Sequence, residues 1–315
     1  MAWVTYQQHR AQLLVGLGLL GVLALAALST HFPISAAYHH DALPECLPPS
    51  ARAGCDLIVS RFEQEFGSWA TALRALSVLP ALAGLFVGAP LLAREFEQGT
   101  YRVAWTQGIT RRGWLFSKSV LLASATLLVG GLCSLLVMWW REPFDALQGR
   151  MGPGAFDVEG IVVPAYAVFA LAVGVLAGLL LRRTVAAMTL TLVVFVATRL
   201  AVLLFLRPNL MAPHHETTLP TEAVRRPGDW ILSNTLVDAG GKQVSAARED
   251  LAILHAHQAS IDPQTYLVSL GWKRLISYQP ADRFWTFQLL EGGLFFVLAA
   301  AILAVALWLV RRTPA

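Results

Sequence analysis

Six of the eight histidines come as close neighbours: His39 and His40 in "YHHD", His214 and His215 in "PHHE", and His255 and His257 in "HAH". Neighbouring imidazoles suggest a metal, but zinc needs several donors converging at tetrahedral geometry. These groups are scattered over two hydrophilic segments, so no metal site is predicted. Acid–base chemistry would have to draw on Glu216, His215 or His257, converging at one membrane-facing cleft. No HExxH, nucleophile elbow or clearly paired catalytic acids accompany them. Nor does the chain contain GxxxxGK[ST], the loop that cradles nucleotide phosphates.

Two other ionisable residues, Arg199 and Glu291, stand inside long apolar runs. At 1.5 Å of rise per residue each lies about 8–10 Å below the nearer end of its run. An unpaired charge there is costly, so an Arg199–Glu291 ion pair across two helices is the natural expectation. The alternative is that each reaches separately toward water or lipid headgroups. Among the cysteines, Cys133 lies within an apolar run and is expected only to pack. Cys46 and Cys55 fall in "PECLPPSARAGCD". Prolines restrict that segment, and a disulfide is expected in an oxidising exterior.

The elements that carry these residues are set by hydrophobicity. Of 315 residues 56% are hydrophobic and 14% charged, where a soluble domain is usually about one quarter charged. Apolar runs at 11–30, 75–93, 114–140, 161–181, 185–206 and 286–310 each suffice to cross a hydrocarbon core of about 30 Å. The fold class expected is an all-α polytopic membrane protein with six spans. The first run is longer than a signal-peptide core and lacks a clear cleavage site, so it reads as a span. With the N-terminus inside, the short segments 1–10, 94–113, 182–184 and 311–315 hold nine arginines beside the span ends, against Glu95 and Glu97. That asymmetry follows the positive-inside rule and puts both termini in the cytoplasm. It also accounts for the basic balance without a nucleic-acid partner.

Residues 1–10 place Trp3, Tyr6 and Arg10 at the spacing of a short interfacial helix. The outer loop 31–74 ends in a segment where Ile58, Phe62, Phe66 and Trp69 suggest an amphipathic helix. Loop 141–160 is short and rich in turn residues. The segment 207–285 is the only one large enough for a small domain, with Ser245 offering an N-cap to a helix. The chain then ends in a sixth span and tail at 286–315. Gly84–Gly88 and Gly174–Gly178 carry small-xxx-small spacing, which lets helix backbones approach closely.

The stretch "REFEQGTYRVAWTQGITRRGW" joins the second and third spans as the longest inner loop. Phe96, Val103 and Trp105 form an apolar side and Arg94, Glu95, Glu97 and Arg102 a charged one. Gly99 interrupts a continuous helix and Thr100 is available to cap a second. From the residues alone this is either a partner surface or an interfacial connector with basic ends.

Arg94 to Thr100, followed by "YRVAWTQGITRRGW", resembles the motif after the second span of bacterial type-2 ABC exporter permeases. "WVTYQQHR" and "YQPADRFWTFQ" resemble the segments before the first and last spans of the same group. The resemblance implies a permease half in the bacterial cytoplasmic membrane, paired with an identical or homologous half and with two cytoplasmic P-loop ATPase subunits. ATP and magnesium would be held by those subunits, and no cofactor by this chain. It also implies that the inner loop docks on the ATPase, a role carried onto Glu95, Glu97, Gly99, Thr100, Arg102, Trp105, Arg111 and Arg112. The segment 207–285 is larger than the short outer hairpin common in that group. Three readings stay open here: an export permease for amphiphilic or hydrophobic substrates, a membrane enzyme using 207–285, and a sensory protein coupled to an ATPase.

Overall fold

The computed structural model describes residues 2–46, 54–99, 110–222 and 228–312, with 2–13 and 56 by backbone alone. Six helical stretches are long and apolar enough to cross a membrane: Leu14–His40, Leu57–Glu97, Arg111–Gln148, Val162–Leu181, Thr184–Asn209 and Ala281–Leu309. The fourth is the central pillar. Of its most apolar window 89% is buried, against 39% or less for every other span. Its sequence, apolar on every side, suits a helix enclosed all round.

Close backbone approach centres that pillar. A Cβ added to Gly174 would stand 2.6 Å from the Gly84 carbonyl oxygen, and one on Gly178 would stand 2.7 Å from that of Ala89. Gly84 and Gly88 in turn face the Ala170 and Leu171 carbonyls at 2.6 Å. Both small-xxx-small pairs therefore serve one interface, and the Gly84–Gly88 segment widens into a π-helical turn where they meet.

The first three helices overrun the predicted spans. The second stretch has 41 residues, about 60 Å of helix, roughly twice the hydrocarbon thickness. The excess is held by a separate apolar cluster in which Ile34, Tyr38, Leu43, Phe62, Trp140 and Phe144 are buried. The helix Ala2–His40 continues through Pro33. The Ser29 and Thr30 hydroxyls bond the Ala26 carbonyl at 2.9 and 2.7 Å, and Trp140 Nε1 donates to Thr30 Oγ1 at 2.8 Å. The expected helix before the second span is present as Cys55–Leu73. Its inward face is Phe62 and Ala70, with Val59, Phe66 and Leu73 packed beside them. Ile58 and Trp69 are 37% and 51% exposed, so they belong to the other side of that helix. Cys46 and Cys55 are joined by a disulfide, with Cα atoms 5.4 Å apart. The backbone of residues 2–10 runs into the first span as one helix; the side chains of Trp3, Tyr6 and Arg10 lie outside the described residues.

Between the fifth and sixth spans the chain builds a three-stranded antiparallel sheet in the order β1–β3–β2, from His214–Thr218, Trp230–Val237 and Lys273–Gln279. Helices Ala246–Gln258 and Pro263–Ser269 accompany it, and Leu236, Val244, Ala252, Leu267 and Trp272 form a small core there. Ser245 takes the N-cap position without a side-chain cap bond, whereas Asp262 caps its helix by accepting from Thr265 N at 2.9 Å. The all-α membrane portion thus carries a small α+β unit at the end where the fifth span finishes and the sixth begins.

Candidate functional site

At the opposite end of the bundle, Gln98 and Gly99 close the second stretch. Gly99 adopts a φ of +69°, and its N–H donates to the Phe96 carbonyl at 3.4 Å; a left-handed residue here favours glycine. The two acids before it are anchored on different spans. Glu95 forms an ion pair with Lys118, whose side chain is 5% exposed. Glu97 lies across the N-terminus of the fifth span, accepting from Thr184 N at 2.9 Å and from Thr184 Oγ1 at 2.6 Å. A carboxylate there meets unpaired amides and the positive end of the helix dipole. Arg182 lies over the Phe96 ring at 5.3 Å. Thr110 caps the third span, its Oγ1 accepting from Gly113 N at 3.2 Å, and Arg111 and Arg112 follow in the first turn. Of the residues assigned to docking, the structure brings together Glu95, Glu97 and Gly99, and sets Arg111 and Arg112 at the head of the next helix. Thr100, Arg102 and Trp105 lie outside the described residues.

At the sheet end the expected contact between Arg199 and Glu291 is present at 3.4 Å, inside a larger cluster. Arg207 Nε donates to Glu291 Oε2 at 2.7 Å, and its Nη2 to Glu291 Oε1 at 2.8 Å and Asp157 Oδ1 at 2.6 Å. Arg199 Nη2 meets Asp157 Oδ2 at 3.0 Å. The Tyr166 hydroxyl also bonds Glu291, and the Arg199 guanidinium lies 3.7 Å from the centre of the Tyr166 ring. Arg207 and Glu291 are fully buried. Two arginines and two carboxylates balance, so the cluster ties the fourth, fifth and sixth spans without net charge. Glu291 has Arg207 as its principal partner and Arg199 as its weaker one. The cause is local: the fifth span passes through a π turn at Val202–Leu206 and a 3-10 turn at Arg207–Asn209. The widened turn keeps Arg207 turned inward, where the sequence places it at the start of the hydrophilic segment.

A second cluster lies on the other side of the same short connection. Arg141 Nε donates to Glu159 Oε1 at 2.6 Å, and Arg150 Nε approaches both Asp145 Oδ2 and Glu159 Oε2 at 3.1 Å. Burial first, and the neighbouring Asp145 carboxylate second, push the Glu159 carboxyl up to about 8 against the pull of the two arginines. Asp157 and Glu159, two residues apart, therefore go to two different clusters. Gln288 holds the backbone on either side of them, accepting from Val162 N at 3.0 Å and donating to the Phe156 carbonyl at 3.2 Å. The available sequence signal was charge balance: Asp157, Glu159, Arg141 and Arg207 all fall within a few residues of apolar runs, where charges normally read as solvated.

The candidates for acid–base chemistry fall elsewhere. His215 and Glu216 are successive residues of edge strand β1 and so point to opposite faces, while His257 is on the helix Ala246–Gln258. His214 contacts Arg283 at 2.7 Å, and His40 contacts Asp41 at 3.0 Å. Among the described residues no group of three or more His, Cys, Asp and Glu is placed to hold a metal ion.

A family model described as ABC-2 membrane transporter related matches residues 17–207, more than half of the chain. No curated protein and no solved structure matches it.

Proposed function

Because the chain belongs to the ABC-2 membrane transporter related family, as a multi-pass membrane protein of the type-2 permease kind, we propose that it is the membrane subunit of an ATP-driven exporter. In this reading the end bearing Arg94, Arg111, Arg182 and Arg311 faces the cytoplasm, where positive charge beside the spans is retained. A P-loop ATPase docks on the loop after the second span, and two permease halves work with two ATPase subunits. The chain itself hydrolyses nothing. Substrates are amphiphilic or hydrophobic, since the polar side chains described within the spans are largely committed to one another.

One observation carries this reading furthest. Glu95 and Glu97 fasten the start of the loop to the third span through Lys118 and to the fifth through Thr184. A displacement imposed on the loop by a closing ATPase is thereby delivered to two spans at once. At the far end, the Asp157–Arg199–Arg207–Glu291 cluster holds the fourth, fifth and sixth spans together. Closure at the cytoplasmic end is thus passed through the fifth span to that trio, the coupling that alternating access requires.

The test is co-purification of the full chain with a candidate P-loop ATPase subunit, comparing wild type with Arg102→Glu. Retention by the wild type and release by the reversal, with the permease still monodisperse, supports docking on this loop. Failure of the wild type to hold any P-loop protein sinks the exporter reading.

A further inference from the structure

A cleft of about 430 Å³ opens at the arginine-bearing end between the third and sixth spans, lined by Arg112, Gly113, Phe116, Ala304 and Leu307. Its lining is ordered by depth. Arg112 is in the first turn of the helix Arg111–Gln148. Phe116 is four residues further in, about 6 Å along the axis. Ala304 and Leu307 are the wall opposite, within the helix Phe284–Leu309, whose end carries Arg311 and Arg312. Phe116 is 56% exposed, and among the described residues Arg112 is the only ionisable one in the lining. Trp308, 46% exposed, has the Arg312 guanidinium 4.0 Å from its ring centre, the pairing expected where a helix leaves the acyl region for the headgroups.

We propose that this cleft is a binding site for an anionic phospholipid, with the phosphate on Arg112 and an acyl chain along Phe116, Ala304 and Leu307. The occupant must be negative at the level of Arg112 and apolar one turn deeper, which is the charge and depth profile of such a lipid. A soluble anion would leave the apolar wall uncovered. An apolar protein segment would offer the guanidinium no counter-charge. Basic pockets between spans are a recurrent way of holding acidic headgroups. The site lies apart from both charged clusters, and its occupancy is read on the purified chain without an ATPase.

The experiment uses the full chain, purified and exchanged into mixed micelles of equimolar phosphatidylglycerol and phosphatidylcholine, with retained lipid counted by mass spectrometry. Wild type should retain phosphatidylglycerol about fivefold over phosphatidylcholine, the preference one arginine near the surface confers. Arg112→Gln should bring the two to parity. Ala304→Phe keeps the charge but fills the cleft, and should lower phosphatidylglycerol retention as well; both positions are exposed, so folding is unaffected. Parity in the wild type overturns the proposal, as does a preference that survives either substitution. Displacement of the retained lipid by soluble glycerol phosphate at equal ionic strength would make the occupant a free phosphate and overturn it too.

Discussion

Arg207 and Glu291 meet side by side through two hydrogen bonds, Nε to Oε2 at 2.7 Å and Nη2 to Oε1 at 2.8 Å, with neither residue exposed. This fork geometry is what an arginine offers and a lysine does not. It makes the pair a clasp between the end of the fifth span and the start of the sixth.

Removing one partner should therefore destabilise far more than removing both. Glu291→Gln or Arg207→Met leaves an uncompensated buried charge, an effect of about 3–5 kcal/mol. The double variant Arg207→Met/Glu291→Leu leaves Arg199 paired with Asp157 and should recover most of the loss. Thermal unfolding of the purified proteins in one detergent checks this. Equal destabilisation by the single and double variants would show that the pair is not the controlling interaction.

Glu159 makes stability depend on pH in a stated direction. Its carboxyl is raised from 4.5 to about 8 in the folded protein, chiefly by burial and next by Asp145. The folded state then binds the proton more tightly than the unfolded state does. The contribution is full below about pH 4.5 and is lost as pH rises through about 8. Thermal midpoints measured from pH 5 to pH 9 should fall more steeply for wild type than for Glu159→Gln, whose amide does not titrate. Parallel curves would refute the assignment. Arg141, Asp145 and Arg150 face the same carboxyl, so their substitution should alter that slope as well.

The interface around the fourth span should tolerate no added volume. A Cβ at Gly174 stands 2.6 Å from two backbone atoms, Ala89 N and the Gly84 carbonyl oxygen, neither of which can swing aside as a flexible side chain does. Gly174→Leu overpacks by more than the usual 1–3 kcal/mol or so. It should abolish monodisperse protein in the membrane fraction. Gly131→Leu, at a glycine with open space around it, should not. Normal yield of the Gly174 variant would mean that the two helices do not approach this closely.

What the sequence made legible follows from how local each signal is. Six spans could be read because an apolar run needs no knowledge of its neighbours. Arg199 and Glu291 stood out because a charge inside such a run demands a partner. Arg207 and Asp157 did not: the π turn that brings Arg207 inward has no composition signature, and Asp157 sits in a connection where acids are ordinarily solvated. Glu95 and Glu97 could be marked from their motif, but Lys118 and Thr184 as their partners depend on how three helices meet. The strands were harder still. β3 is "KRLISYQ", with Ile276, Ser277, Tyr278 and Gln279 all buried. A central strand covered on both faces loses the alternation by which strands are recognised.

The disulfide supplies a test of sidedness. Cys46 and Cys55 close a short loop at the end opposite the Glu95–Glu97 segment, and the third cysteine, Cys133, is partly buried within a span. If the arginine end is cytoplasmic, a membrane-impermeant maleimide applied to intact cells should label the chain only after mild reduction. Cys46→Ser/Cys55→Ser should abolish that labelling. It should also lower stability by about 2–3 kcal/mol, the chain-entropy contribution of so short a loop. Labelling that requires cell lysis would reverse the proposed topology.

The last prediction concerns the link between loop and span. Glu97 satisfies both the N–H and the hydroxyl of Thr184, so Glu97→Ala frees the start of the fifth span from the loop while leaving the Glu95–Lys118 pair in place. Docking and transmission then come apart. The variant should still co-purify with the ATPase, but substrate-stimulated ATP hydrolysis should fall by about fivefold or more, the size of a typical coupling energy. Glu97→Gln keeps an acceptor for Thr184 N without the charge at the helix N-terminus, and should be intermediate. Thr184→Val removes the hydroxyl from the other side of the same contact and should resemble it. Full stimulation in Glu97→Ala would show that the fifth span receives its movement by another route. Loss of co-purification would make Glu97 part of the docking surface itself, in competition with Thr184 for the same carboxylate.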